Sequence, residues 1–211
     1  MTVEEHPYRD QIIRRASSSD ICALVDICRE AFPQHLRWQG MRSVARRWWE
    51  VAIMSSAAEA WIIQDKDEVV ALFLLVSDEI QWSQEKAHRR GPFVLCLISA
   101  MCCFVLAGSK ALRAMMDHIN SHHAQRLTLR DPKPGTRTWI ELIAVRTERR
   151  GQGFAKCLLR HIETRAKALG KKAICLRTHK CNQVACCLYE TMGYQEASVN
   201  NGHVIYSKSI S

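Results

Sequence analysis

Two glycines stand directly behind a cluster of arginines in the stretch RTERRGQGFA, residues 146–155. An apolar run ends just before this stretch and an amphipathic helical pattern starts at Ala155, so the glycines mark a strand-to-helix junction. The start of a helix exposes backbone N–H groups at the positive end of the helix dipole. Glycine has no Cβ, so an oxyanion can approach these groups closely. The junction predicts a diphosphate cradle, although an ordinary basic turn before a helix has a similar composition.

Two better-known phosphate-binding patterns do not fit this stretch. A Walker loop needs the pattern Gly-x-x-x-x-Gly-Lys-Ser/Thr, which the sequence lacks. The dinucleotide fingerprint also fails, because its glycine spacing differs and the preceding segment does not open a βαβ unit. The loop therefore belongs to neither class of nucleotide-binding motif.

One carboxylate stands out upstream of the loop. Glu141 interrupts the apolar segment WIELIAV, and burying a carboxylate without a partner is costly. Such a group would have a raised pKa, which suits a general base that operates near neutral pH. An outward-facing glutamate, or one paired with an arginine, would explain the same pattern, so both interpretations stay open.

The elements that must position these residues mix strands with helices. Helices are predicted after Asp20, across 43–56, from Ala155 to a stop at Gly170, and over 182–193. Strands are predicted at 11–17, in a hairpin over 59–76, at 138–145, at 172–178 and in a final hairpin around Asn200-Asn201-Gly202. This order predicts one domain over 1–211, of the α/β or α+β class.

Three segments carry a family resemblance. The hexapeptide RGQGFA at 150–155 resembles the Arg/Gln-x-x-Gly-x-Gly/Ala signature of the GNAT superfamily of N-acetyltransferases. NQVACCLYETMGY at 182–194 resembles the family's Asn-x-x-Ala-x-x-Leu-Tyr-Glu-x-x-Gly-Phe/Tyr segment, and IIRRASSSDICALVDICREAF at 12–32 resembles its first strand and helix. The resemblance covers about 11–76 and 137–210. It implies a mixed, mostly antiparallel central sheet flanked by helices, with 80–136 a helical insertion between strands 3 and 4.

The resemblance also implies a chemistry and a set of site residues. It implies acetyl-CoA as cosubstrate, no metal, and direct attack of an amine on the thioester. Tyr189 is implied as general acid toward the coenzyme sulfur, with helix packing as the alternative, and Glu141 is the candidate base. Asn182 is implied to contact the coenzyme and also suits a helix N-cap. The coenzyme-binding set is Ala144, Val145, Arg146, Arg150, Gly151, Gln152, Gly153, Phe154, Ala155, Asn182 and Tyr189.

Other functional classes are less well supported. A coenzyme-binding module without turnover, or an acyltransferase for a longer acyl thioester, would keep the same motifs. A cysteine nucleophile next to His179 would give a ping-pong route, which direct transfer does not need. The tryptophans at 38, 48, 49 and 82 could line an apolar acceptor pocket, with core packing as the default. His118 and His122 are one helical turn apart, but nothing completes a metal-ligand set.

The insertion contains a long apolar run. Residues 93–107, FVLCLISAMCCFVLA, contain Ser99 as the one clearly polar side chain. The run is shorter than the roughly 20 residues of a spanning helix, so a buried or partner-covered helix is the favoured interpretation. Contact with a membrane surface and a true span are the alternatives, and the insertion could also form a homodimer contact.

Charge and cysteine content limit the partners and the compartment. The formal net charge of +9 favours anionic ligands, but no nucleic-acid recognition motif is present, so we expect no nucleic-acid partner. A small-molecule amine is the favoured acceptor, and a sugar amine, an antibiotic and a protein terminus stay open. The ten cysteines form no Cys-x-x-Cys pair, and most, including Cys22, lie among apolar residues. Reduced, buried thiols and a polar N-terminus without a signal peptide predict a cytoplasmic protein.

Overall fold

A mixed sheet forms the frame of the molecule. A computed structural model describes residues 11–33, 36–88 and 135–210, apart from the side chains at 36, 37 and 88. Within these residues the sheet has seven strands in the order β1-β2-β3-β4-β5-β7-β6, and every neighbouring pair is antiparallel except β4 with β5. The strands are β1 (Gln11–Arg15), β2 (Ala58–Asp65), β3 (Glu68–Val76), β4 (Arg137–Val145), β5 (Ala173–His179), β6 (Gln195–Asn200) and β7 (His203–Ser209).

Helices cover both faces of this sheet. One buried cluster packs helices of the N-terminal half against the sheet, and a second packs helices of the C-terminal half against the opposite face. The predicted fold class, a mostly antiparallel sheet flanked by helices, is confirmed. The described helices are α1 (Ile21–Ala31), α2 (Leu36–Gln39), α3 (Arg42–Ile53), α4 (Glu79–His88), α5 (Phe154–Ala168) and α6 (Gln183–Thr191).

The turns follow from local residue chemistry. Lys66 (φ 56°) turns the β2–β3 hairpin, and Asn201 (φ 47°) with Gly202 (φ 76°) turns the β6–β7 hairpin. Two consecutive residues with positive φ favour the tight turn that matches strand twist, which the Asn-Gly pair accommodates. Both predicted hairpins are therefore confirmed.

The sheet opens between its two parallel strands. β4 and β5 pair only from Arg137 opposite Ala173 to Ile140 opposite Leu176. Both strands continue beyond the last pair, to Val145 and to His179. Backbone groups of β4 after Ile140 consequently have no β5 partner, and a gap opens at this end of the sheet.

A bulge lies where this gap begins. Leu74 of β3 pairs with Leu142, and Leu75 pairs with Ile140, so Glu141 is an extra residue without a β3 partner. A bulge redirects side chains and bends the strand that contains it.

The bulge shifts the alternation of the β4 side chains. Trp139 packs with the cluster of the N-terminal helices and Ile140 with the cluster around α5. After the bulge, Leu142 and Ala144 lie on the same side of the sheet as Trp139. In a strand with regular alternation, residues 141 and 143 would lie on that side instead.

The cysteine prediction is only partly right. Cys28 and Cys175 are buried, but Cys22, Cys181 and Cys187 are exposed. The prediction is wrong for Cys22 because this residue lies on the outer side of α1, where Arg46 Nη1 contacts its sulfur at 3.5 Å. All seven cysteines that the structure describes are free thiols.

The apolar run at 93–107, and with it most of the predicted 80–136 insertion, lies outside the described part of the chain. The first residues of the predicted insertion belong to α4. Among the helices that the structure describes, none has the length and apolar character that a membrane crossing requires.

Candidate active site

A cleft of about 700 Å³ fills the gap between β4 and β5. The end of α1, the second half of β4, the loop after it, and the first turns of α5 and α6 form its walls. Of the predicted site residues, the lining contains all but Arg146 and Gln152: Glu141, Ala144, Val145, Arg150, Gly151, Gly153, Phe154, Ala155, Asn182 and Tyr189. The fold therefore brings two separate sequence motifs to one cavity.

The glycine loop adopts a backbone that glycine alone adopts easily. Gly151 has φ 78° and Gly153 has φ 88°, both in the left-handed region. Gly153 is the N-cap of α5, which begins at Phe154. The first N–H groups of that helix lack intrahelical acceptors and lie where the loop meets the cleft. This geometry suits an oxyanion, as the sequence pattern predicts.

Two of the loop arginines brace the fold. The Arg146 guanidinium donates to Val69 O at 3.0 Å and to Glu30 Oε1 at 2.9 Å, and it lies 3.2 Å from Glu68 Oε1. Arg149 pairs with Asp65 on the β2–β3 hairpin. These contacts tie the loop to α1 and to the hairpin.

The backbone of Arg146 has a partner as well. Its N–H donates to Val70 O at 2.9 Å, so this residue faces β3 through both main chain and side chain. Because pairing direction alternates along a strand, the neighbouring Val145 presents its N–H and C=O to the cleft. The structure thus points to Val145 rather than Arg146 as the backbone contact for a bound ligand.

Arg150 is the loop arginine with the most freedom. Its Nε donates to Val145 O at 3.4 Å, its side chain is exposed, and no described carboxylate lies within ion-pair distance. Three further cationic side chains line the cleft together with Arg150. Among the lining residues that the structure describes, Glu141 is the one carboxylate. The lining cations are Arg149, Arg150, Lys156 and Arg177. A cavity of this charge favours a polyanionic ligand.

Glu141 is almost buried, and a cation lies beside it. Its side chain is 11% exposed, and Lys86 Nζ of α4 lies 3.9 Å from its Oε1. Of the interpretations that the sequence leaves open, the structure shows a paired glutamate, although its partner is a lysine and not an arginine. This lysine lies on α4, and no pattern around residue 141 indicates it.

Tyr189 lies in the floor of the cleft on α6. It is 5% exposed, and its ring centre lies 5.8 Å from that of Tyr206 and 6.1 Å from that of Tyr194. Burial, with a smaller contribution from Cys186, raises the pKa of Tyr189 to about 12. The phenol therefore stays protonated throughout the physiological pH range.

Asn182 caps α6 at the rim of the cleft. Its Oδ1 accepts a hydrogen bond from the Ala185 N–H at 3.3 Å, which satisfies one of the free donors of the helix start. The capping interpretation is confirmed. The side-chain N–H₂ group remains available to a ligand, since Asn182 also lines the cleft.

The alternative nucleophiles stay outside the cleft. Cys181 Sγ lies 3.1 Å from His179 Nδ1, so a thiol–imidazole pair exists. Neither residue lines the cleft, and neither do Cys186 and Cys187. The geometry gives no support to a covalent cysteine route.

The tryptophans form core contacts. Trp38 and Trp49 stack with ring centres 6.2 Å apart, and Trp48 packs edge-on against Trp82 at 6.0 Å. Trp38, Trp49 and Trp82 are fully buried, so the default of core packing is confirmed for them.

Metal ligands do not come together in the described residues. No group of three or more His, Cys, Asp or Glu side chains there has the arrangement of a metal site. The histidines of the insertion, at 118, 122 and 123, lie outside the described residues.

The parted parallel strands, the glycine loop and the cationic cleft agree with what comparisons with known proteins find. The family model for the acetyltransferase (GNAT) family matches residues 22–194, which is most of the chain. The protein belongs to this family and is an acyltransferase. A search of curated proteins finds no match to the sequence.

Solved structures of N-acetyltransferases share the fold. An N-acetyltransferase from Staphylococcus aureus Mu50 superposes with a TM-score of 0.62 at 14% identity, over 95% of this chain and 99% of that one. The ribosomal-protein-S18-alanine N-acetyltransferase from Escherichia coli gives 0.58 at 13% identity, over 95% and 94%. The PaiA N-acetyltransferase from Thermoplasma acidophilum, in complex with coenzyme A, gives 0.55 at 11% identity, over 94% and 98%.

Proposed function

We propose that the cleft binds acetyl-CoA and that the protein transfers its acetyl group to the amine of a small molecule. The observation that carries this proposal is the opening between β4 and β5, which ends in a loop with two left-handed glycines. The family membership makes acetyl transfer the expected reaction. The cationic lining supports a ligand with several phosphate groups.

The loop is proposed to hold the diphosphate of the coenzyme. The N–H groups at the start of α5 and the Arg150 guanidinium are the donors, and Gly151 and Gly153 let the phosphates come close. The Asn182 amide is proposed as a further donor at the rim. Gln152 lies outside the cleft lining, so we assign it a contribution through its backbone N–H alone.

The exposed edge of β4 is proposed to hold the pantetheine arm. A ligand with amide groups can add to such an edge as an extra strand would. Val145, which faces the gap, is the assigned contact, and Ala144 contributes to the wall. Arg146 is assigned a bracing role because its N–H and guanidinium contact β3 and α1.

Glu141 is the proposed general base. An acceptor amine must lose a proton to become a nucleophile, and the carboxylate is the acidic group placed in the cleft. When bound, acetyl-CoA supplies the activated thioester that the amine attacks directly. Glu141 accepts the amine proton, either in contact or through a water molecule.

Tyr189 is the proposed hydrogen-bond donor to the leaving sulfur. A phenol with a pKa of about 12 is a weaker acid than an ordinary thiol, whose pKa is about 8.5. Complete proton transfer from this phenol to a thiolate is therefore uphill. A short hydrogen bond from the neutral phenol still stabilises the departing thiolate, and this role replaces full acid catalysis in the proposal.

The organisation of the whole chain is also a proposal. We propose one acetyltransferase domain over 1–211, with 80–136 inserted between β3 and β4. The exposed free thiols at Cys22, Cys181 and Cys187 support a reducing compartment, and hence a cytoplasmic location.

Release of free thiol from acetyl-CoA in the presence of a panel of small amines tests the function. We expect amine-dependent release and a matching acetylated product by mass spectrometry. Tight coenzyme binding with no release for any amine would favour a binding module instead. Faster release from long-chain acyl thioesters than from acetyl-CoA would contradict acetyl transfer as the main reaction.

A further inference from the structure

We propose that Lys86 is a positioning residue that holds Glu141 in its ionised form in the cleft. The inference rests on the proposed function, because it needs Glu141 to act as the base. It adds a role for the first helix of the insertion, which lies outside the family's common core. The argument starts from the contact between the two side chains.

The contact is enclosed by protein. Lys86 Nζ lies 3.9 Å from Glu141 Oε1, and the two side chains are only 14% and 11% exposed. The same Nζ lies 4.9 Å from the ring centre of Trp82, one turn earlier on α4. An ammonium between an indole face and a carboxylate is held on two sides, and water screens such a pair far less than a surface pair.

The contact lies at the bulge of β4. Glu141 is the extra residue of β4, and the cluster of the N-terminal helices, which contains Trp82, packs on the side that Trp139 and Leu142 face. Lys86 of α4 thus contacts the residue of β4 that has no β3 partner, and this residue also lines the cleft.

The neighbours of Glu141 on β3 and α1 are uncharged, and the other titratable groups of the cleft lining lie on β5, the loop, α5 and α6. On β3, the residues that flank the bulge are Leu74 and Leu75, and α1 contributes the uncharged Ala31 and Phe32 to the cleft. The remaining titratable groups of the lining are Arg177 from β5, Arg149 and Arg150 from the loop, Lys156 from α5 and Tyr189 from α6. Lys86 is not part of this lining, and its Nζ lies 3.9 Å from Glu141 Oε1.

A nearby ammonium favours the charged form of a carboxylate. A base must be unprotonated to accept the amine proton, so Lys86 extends activity toward lower pH. Without Lys86, the acid limb of the rate profile should move to higher pH by about 1 to 2 units, the lower part of the range for one close opposite charge, because the two atoms are 3.9 Å apart.

The test compares pH profiles of kcat/KM for the full-length enzyme and three lysine variants. For Lys86→Met we expect a 10- to 100-fold loss below the acid limb, recovery toward wild-type rates at high pH, and unchanged coenzyme affinity. Lys86→Arg should keep most of the wild-type profile. Lys208→Met is the matched control, since Lys208 forms a half-buried pair with Glu163 at 2.8 Å outside the cleft.

Glu141→Gln separates this inference from the proposed function. If that variant keeps wild-type activity, Glu141 is not the base and the proposed function fails at that step. If it is inactive while the Lys86→Met profile superposes on wild type, the inference is overturned. If Lys86→Met does not fold, Lys86→Gln replaces it, and the same shift of the acid limb decides. Lys86→Met should also add no further loss in the Glu141→Gln background.

Discussion

The two sides of the cleft are built in different ways. The side assigned to the coenzyme comes from two short continuous stretches, 144–155 and 182–189, each a helix start with its loop. The side assigned to the acceptor brings together Lys86 of α4, Glu141 of the bulge and Phe32 at the end of α1. Local backbone geometry makes the first side, whereas contacts between distant segments make the second.

The two sides of the cleft therefore depend on different physical features. On the side assigned to the coenzyme, the surface consists of glycines in the left-handed region and free helix amides. On the side assigned to the acceptor, an enclosed ion pair lies at a strand bulge. Changes to the first should act mainly on coenzyme affinity, and changes to the second on rate and its pH dependence.

The largest effect is expected from the glycine loop. Gly153→Val forces a β-branched residue into φ 88° and puts a side chain beside the phosphate site, so coenzyme binding should be abolished. Calorimetric titration with coenzyme A measures the affinity of this variant. Gly170→Val is the matched control, because Gly170 ends the same helix at φ 68°, away from the cleft. Normal coenzyme affinity in the Gly153 variant would refute the loop assignment.

The next largest effect concerns the leaving group. Tyr189→Phe removes the phenol donor, and kcat should fall about 100-fold with little change in coenzyme affinity. Steady-state kinetics at saturating acetyl-CoA give the answer.

Tyr194→Phe serves as the comparison for Tyr189. The Tyr194 hydroxyl is buried and has no hydrogen-bond partner among the described residues, so its removal should leave turnover unchanged. Equal rates for wild type and the Tyr189 variant would return Tyr189 to a packing role.

A smaller effect is expected from the exposed arginine of the loop. Arg150→Gln should weaken acetyl-CoA binding about tenfold and reduce the dependence of affinity on salt, because one charge-assisted contact is lost. Arg160→Gln removes an exposed charge from α5 outside the cleft lining and should have no such effect. Binding titrations at low and high salt distinguish the two, and similar losses in both would indicate a general charge effect.

The smallest effect on the reaction should come from the ion pair between Arg14 of β1 and Asp20, the residue that precedes α1. Arg14 donates to Asp20 from both terminal nitrogens at 2.8 Å, and this pairing lowers the pKa of Asp20 to about 2. The folded pKa lies below the unfolded value, so the stabilisation is complete above about pH 4 and disappears as pH falls through 2. Asp20→Asn should cost about 2 kcal/mol at pH 7 and leave KM for acetyl-CoA unchanged.

Urea unfolding at pH 7 and near pH 2 measures the contribution of Asp20. The Asp26→Asn variant is a suitable comparison, because the pair of Asp26 with Arg42 is exposed and should contribute less than 1 kcal/mol. A constant difference between wild type and the Asp20 variant at both pH values would contradict the linkage.

The sequence by itself determined the parts that depend on neighbours along the chain. The order of strands and helices, the tight turns, and the fold class follow from periodicity and turn chemistry, and the family follows from motifs at 150–155 and 182–194. The glycines, Asn182 and Tyr189 could be proposed because each belongs to a continuous motif.

Only the tertiary structure decided which charges face each other. Arg146 and Arg149 lie in the same basic cluster as Arg150, yet they pair with carboxylates of α1 and the β2–β3 hairpin. The contact between Lys86 and Glu141 depends on the packing of α4 beside β4, which leaves no pattern at these positions. Backbone conformation is set by adjacent residues, whereas an ion pair depends on where the folded chain brings two remote side chains.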